Sequence, residues 1–170
     1  MLDETLPVLA EKVVLRPPVF LLFGLLLAAL LHFRVAKLLA FRTSFGKRCG
    51  VGVLLLGWGA FLVQTCVRQM AVARTAPSHE QQTTVLLRSG AYSFCRNPMY
   101  VGGAFMQFGI VLLSNSLWVL LNTLAMLTYL NMHVIPVEEA HLASIYTKEY
   151  TIYFSETPRW FSMDMGKMEL

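Results

Sequence analysis

The 170 residues are 56% hydrophobic and only 14% charged, with a mean hydropathy of +0.56, which excludes an ordinary water-soluble domain. The net charge of +4 comes from Lys and Arg that flank apolar runs instead of forming a separate stripe, so the basic balance points to a bilayer surface and not to nucleic acid. Cys49, Cys66 and Cys95 are odd in number and form no CxxC pair, and His32, His79, His133 and His141 lack ligand spacing, so neither a disulfide framework nor a metal site is expected.

In chain order, the N-terminus carries Asp3 and Glu4, and no small-residue cleavage pattern precedes Arg34. The first apolar run therefore reads as a retained span, about 17–41. A basic connection with Arg42, Lys47 and Arg48 leads to a second span, about 49–73, whose glycines at 50, 52, 57 and 59 allow close helix approach. The chain then turns polar to Arg96, with Ala76 to Gln82 its least apolar part.

From Asn97 no Asp, Glu, Lys or Arg occurs until Glu138, roughly twice the length of one crossing. Two further spans, about 98–113 and 117–137, turn at Ser114-Asn115-Ser116 and form an antiparallel hairpin. Leu142, Tyr146, Tyr150 and Tyr153 then recur at helical spacing, which predicts an amphipathic interfacial helix over 138–154, its start marked by Pro136. The chain is thus predicted to be a single all-α integral membrane domain over 1–170: a polytopic helix bundle with about four transmembrane helices and this C-terminal helix. Four spans put nine Lys/Arg on the face holding both outer ends of the hairpin and five on the other, which assigns the first face to the cytosol. The first two spans are expected to shape a lipid-facing entrance.

Arg96-Asn97-Pro98 reads as a helix start, with Asn as the cap and Pro in the first turn. The same geometry offers backbone N–H groups and a guanidinium to an anion. Glu138 and Glu139 close the hairpin on the face where Arg96 opens it; they are either a solvated first turn favoured by the helix dipole or acids held for a ligand. Gly102 and Gly103 serve packing or ligand approach, and Tyr100, Tyr150, Tyr153 and Trp160 are interfacial aromatics or site residues. Cys95 has no adjacent base, and His133 is either a proton carrier or a polar helix contact.

The set Ser89-Gly90-Ala91-Tyr92, Arg96-Asn97-Pro98-Met99-Tyr100-Val101-Gly102, an apolar hairpin, Glu138-Glu139 and Pro158-Arg159-Trp160 closely resembles the isoprenylcysteine carboxyl methyltransferase family and the related phospholipid methyltransferases, over Leu87 to Trp160. The resemblance implies an S-adenosylmethionine-dependent enzyme of the endoplasmic reticulum, or of the inner membrane in a bacterium, that acts on a lipid-soluble or prenylated acceptor. It implies a cofactor site at the cytosolic ends of the last helices, with Tyr92, Arg96, Asn97, Pro98, Tyr100, Glu138 and Glu139 as cofactor-binding residues. Ala91, Thr147 and Val134 depart from the pattern, where relatives often have Pro, Gly and Arg. With Val134 in place of an Arg, Arg159 becomes the candidate to orient an acceptor carboxylate, and Glu139 the candidate catalytic acid or base. Carboxyl O-methylation of an isoprenylcysteine is the leading expectation. The alternatives are N-methylation of a phospholipid amine, a sterol-reductase-like enzyme using NADPH, and a non-catalytic membrane module.

Overall fold

A computed structural model describes residues 17–35, 38, 41–73 and 85–161; the expected polar stretch Ala76 to Gln82 and the N-terminal acids lie outside them. The described residues form a helical membrane bundle: α1 (Pro17–Arg34), α2 (Phe45–Val72), a 3-10 turn (Gly90–Ser93), α3 (Pro98–Ser114), α4 (Leu117–Tyr129), a π-turn (Leu130–Val134) and α5 (Ile135–Glu156). α1, α2 and the continuous stretch Leu117–Glu156 are long and apolar enough to cross a membrane, and α3 is a shorter apolar helix. Large side chains such as Phe23, Leu26, Leu54 and Phe61 lie exposed on α1 and α2, as surfaces solvated by lipid should.

α1 ends at Arg34, short of the expected 41, because the backbone beyond it is used elsewhere. Leu117 N–H donates to Leu38 O (2.9 Å), while the Asn115 amide accepts from Phe41 N–H (2.9 Å) and donates to Phe41 O (3.2 Å). Asn115 sits in the left-handed region (φ 48°) at the hairpin turn, a conformation that Asn tolerates better than most residues. Arg48 adds a bond to Leu112 O (3.0 Å). The α1–α2 connection is therefore stitched to the hairpin turn at the end of the bundle away from Arg96, Glu138 and Glu139.

α2 and α3 pack through paired glycines. A methyl group on Gly59 would lie 2.5 Å from Gly102 O, and one on Gly109 2.8 Å from Gly52 O, so both helices need bare backbone at these crossings. Gly50, Gly57 and Gly103 face open space. Of the Gly102-Gly103 pair, only the first is a packing residue.

The interfacial helix does not begin at 138. Helix runs without a break from α4 through the π-turn into α5. Pro136 has no N–H to give to the carbonyl four residues back, and its ring crowds that carbonyl, so the wider π-turn just before it is the local solution. The helix departs from helical geometry at Tyr146 (φ −110°, ψ 25°), next to the unusual Thr147. Tyr150 and Tyr153 beyond this point are buried, whereas Thr147, Lys148 and Glu149 are exposed.

Candidate functional site

Arg96 and Glu139 meet where α3 begins and α5 follows the π-turn. Arg96 Nη2 lies 2.9 Å from Glu139 Oε1, and both side chains are about nine-tenths buried. Arg96 Nη1 donates to Phe154 O (2.7 Å) and Thr157 O (3.2 Å), and the guanidinium stacks 3.9 Å from the Phe154 ring centre. The Arg96 backbone N–H donates to Pro158 O (2.8 Å). Its Nε is buried without a partner. Such an arginine clamps the tail to the hairpin, and its orphan Nε is a buried donor left to a ligand.

Glu139 is held from the other side by Arg159. Nε donates to Oε1 (3.1 Å) and Nη2 to Oε2 (2.5 Å), a forked geometry suited to a planar carboxylate. One acid is thus shared by two arginines. Arg159 Nη1 reaches only Asn131 O and Oδ1, both at 3.5 Å, the outer limit of a hydrogen bond.

Glu138 points differently. Tyr100 O–H donates to its Oε1 at 2.5 Å, so the two neighbouring acids serve separate partners. Tyr92 is buried, with its hydroxyl beside Cys66; its backbone carbonyl accepts from Tyr153 O–H (2.7 Å). Burial, reinforced by the nearby Cys66, Tyr153 and Glu138, pushes the Tyr92 phenol well above its ordinary range. Burial also raises the Cys95 thiol, which keeps it protonated and unreactive.

One expectation needs correction. Asn97 stands at the N-cap position, but its side chain makes no cap bond. Its backbone (φ −124°, ψ 51°) is turned away from cap geometry, and Nδ2 donates to Arg159 O instead (3.0 Å). An open groove of about 470 Å³ runs between α3 and α4, with Ala104, Phe105 and Phe108 facing Leu127 and Met132, and no lining residue comes from α1 or α2.

The sequence-predicted residues Tyr92, Arg96, Asn97, Pro98, Tyr100, Glu138, Glu139 and Arg159 all lie at this end of the hairpin. Pro98 is buried in the first turn of α3. Val134 is fully buried in an apolar cluster with Met126, Leu130 and Ile135, so an Arg at that position would point into packing. His133 is exposed and stacks on Tyr129 (5.5 Å). Among the described residues no three His, Cys, Asp or Glu are grouped to hold a metal. Sequence reasoning missed Asn131, whose Oδ1 accepts from Trp160 Nε1 (2.9 Å). Its only signal was being a polar residue within an apolar span, a trait shared by Asn122 on α4. It also missed Phe154, whose role depends on a tail path that no spacing reveals.

The family model described as phospholipid methyltransferase matches residues 48–149, taking in most of α2, the whole hairpin, both acids and the first part of α5. Comparisons with curated proteins and with solved structures give no match.

Proposed function

The chain belongs to the phospholipid methyltransferase family and is a membrane methyltransferase of lipid substrates, and we propose that it uses S-adenosylmethionine to methylate the carboxylate of a lipidic acceptor, with an isoprenylcysteine the leading candidate. The observation that carries this reading is the engagement of Glu139 by Arg96 and Arg159. An acid with both oxygens engaged by guanidiniums is committed to holding them and has no free edge to offer a substrate. A carboxylate acceptor is already ionised at neutral pH and needs positioning more than a base.

The residues present suit the cofactor's chemistry. The orphan Nε of Arg96 and the first amides of α3 match an α-carboxylate, and Glu138 with Tyr100 offers an anionic, hydrogen-bonding wall to ammonium and sulfonium. Tyr92, Asn97, Pro98 and Glu139 complete the proposed cofactor site by holding its walls: Asn97 and Glu139 tie the tail to the hairpin, and Pro98 fixes the first turn. When bound, S-adenosylmethionine would supply an electrophilic methyl group. Arg159, fixed on Glu139 through two of its nitrogens, presents the third to the acceptor's anion and orients it. The apolar surroundings exclude water from the approach. The excess of Lys and Arg at this end supports a cytosolic site, in the endoplasmic reticulum or a bacterial inner membrane.

N-methylation of a phospholipid amine is the second reading. Glu138 favours it, since it is only half-buried and could take an ammonium proton with Tyr100 as relay. Purified protein in nanodiscs, given radiolabelled S-adenosylmethionine with an S-prenylated N-acetylcysteine or with phosphatidylethanolamine, separates the two. The first reading requires base-labile label on the prenylated acid, as a methyl ester; base-stable label on the amine lipid alone sinks it. Calorimetry should show cofactor binding that Glu138→Gln and Tyr100→Phe each weaken. Absence of binding by the unaltered chain removes the cofactor proposal.

A further inference from the structure

The groove between α3 and α4 has an apolar trough and one polar end. Met132 on its rim is 64% exposed and the trough is bounded by membrane-embedded helices, so what fills it must come from hydrocarbon. On the α3 wall Ala104 stands between the bulkier Val101 and Phe108, and it provides the width there. The opposite margin is closed by Trp160 and Phe161, with Phe161 against Phe105 (6.3 Å between ring centres). The bonds from Arg96 N–H to Pro158 O and from Asn97 Nδ2 to Arg159 O fix this margin on the side of the acids.

The polar end has a defined charge. Asn131 lines the groove and touches Trp160 Nε1 and Arg159 Nη1. Arg159 uses Nε and Nη2 on Glu139, whereas both Nη1 contacts are 3.5 Å long, so a better acceptor arriving from the groove would displace them. A hydrocarbon trough ending at a cationic edge complements a single chain that carries an anionic head.

We infer that this groove seats one hydrocarbon chain of the acceptor, that Ala104 is the residue admitting it, and that Asn131 with Arg159 receives its anionic head. The inference rests on the methyl-transfer reading for the word acceptor, although the seat can be tested without the reaction. Neither Ala104 nor Asn131 was marked by the sequence.

The test uses the full chain in nanodiscs and palmitic acid with a diazirine at its chain end, irradiated and mapped by peptide mass spectrometry. Labelling should concentrate on residues 101–108 and 127–132, and the corresponding alcohol, which lacks the charge, should label them less. Ala104→Phe should lower groove labelling about tenfold, the equivalent of one overpacked side chain, with labelling of the outer face of α1 at Phe23 and Leu26 unchanged. Since a large residue at 104 also presses on α4, Met132→Trp on the exposed rim is a second block, and the melting temperature reports whether each variant folds. Equal labelling of groove and α1, or groove labelling unaffected by a folded blocking variant, overturns the seat. Equal labelling by acid and alcohol overturns the anionic head. A chain that labels in the groove but transfers no methyl group refutes the reaction and leaves the seat standing; transfer with label elsewhere does the reverse.

Discussion

At the scale of single residues, Glu139 compensates two cations, one buried and one half-buried, that have no other carboxylate partner among the described residues. Removing one member of a buried pair costs about 3 to 5 kcal/mol, more than the pair itself contributes, because the remaining charge loses its compensation. Glu139→Gln should therefore lower the unfolding free energy in detergent by about that amount. Arg159→Gln, at a site with more solvent access, should cost less and act on the acceptor, raising its KM with little change in cofactor affinity. Equal losses of stability in the two variants would contradict this division. Tyr92 gives a second prediction through its raised phenol pKa. The folded chain holds this proton above pH 10, the ordinary tyrosine value, where the unfolded chain releases it. Folding then takes up a proton, so the stabilisation is complete below pH 10 and declines above it. Tyr92→Phe should make the fall in melting temperature between pH 9.5 and 11 shallower, a range centred near the usual tyrosine pKa of about 10. Parallel slopes for the two proteins would show that Tyr92 contributes nothing to the alkaline loss.

At the scale of elements, the α2–α3 contact divides the glycines into two classes that composition could not separate. Gly59→Ala places a methyl group 2.5 Å from Gly102 O and should destabilise the bundle by about 1 to 3 kcal/mol as an overpacked contact. Gly57→Ala faces open space and should be neutral or stabilising by up to about 1 kcal/mol through helix propensity. Thermal unfolding of the two variants followed by circular dichroism decides this, and a larger loss at Gly57 would refute the assigned helix faces. The hairpin itself was legible because a charge-free run of double length with one polar cluster admits few other arrangements, and that hairpin is what joins Arg96 to the acids. The angular information was not legible. Which glycine faces α2, which acid turns to Tyr100 and which to the arginines, and that Asn97 serves the tail instead of its own helix all depend on helix rotation and on the path of residues 157–161. A π-turn shifts the phase of the helix beyond it, so counting by 3.6 residues across Pro136 misplaces the faces of α5.

At the scale of the whole molecule, the two ends of the bundle are built differently. The far end is stitched by the backbone of Phe41 and Leu38 to the hairpin turn, and the near end is closed by the tail segment through arginine and asparagine side chains. Among the described residues α1 meets this end through Phe20, stacked on Tyr129 (4.8 Å), and the proposed site residues belong to the hairpin, the tail and the 3-10 turn before them. This arrangement has a consequence for pH dependence that discriminates between acceptors. A carboxylate acceptor brings no proton that must be removed, and its kcat/KM should be flat from about pH 6 to 9, above the acceptor's own carboxyl pKa of about 3.5. An amine acceptor with an ammonium pKa of about 10, like that of lysine, must lose its proton before it reacts; where Glu138 takes that proton inside the site, its kcat/KM should also be flat over this range. Glu138→Gln should then make the amine profile climb roughly tenfold per pH unit, because only amine already deprotonated in solution can react, while the carboxylate profile stays flat and falls only in height. An amine profile that turns from flat to steep in Glu138→Gln would identify Glu138 as the base and move the assignment to the phospholipid amine, and a slope unchanged by the substitution would remove that role from Glu138.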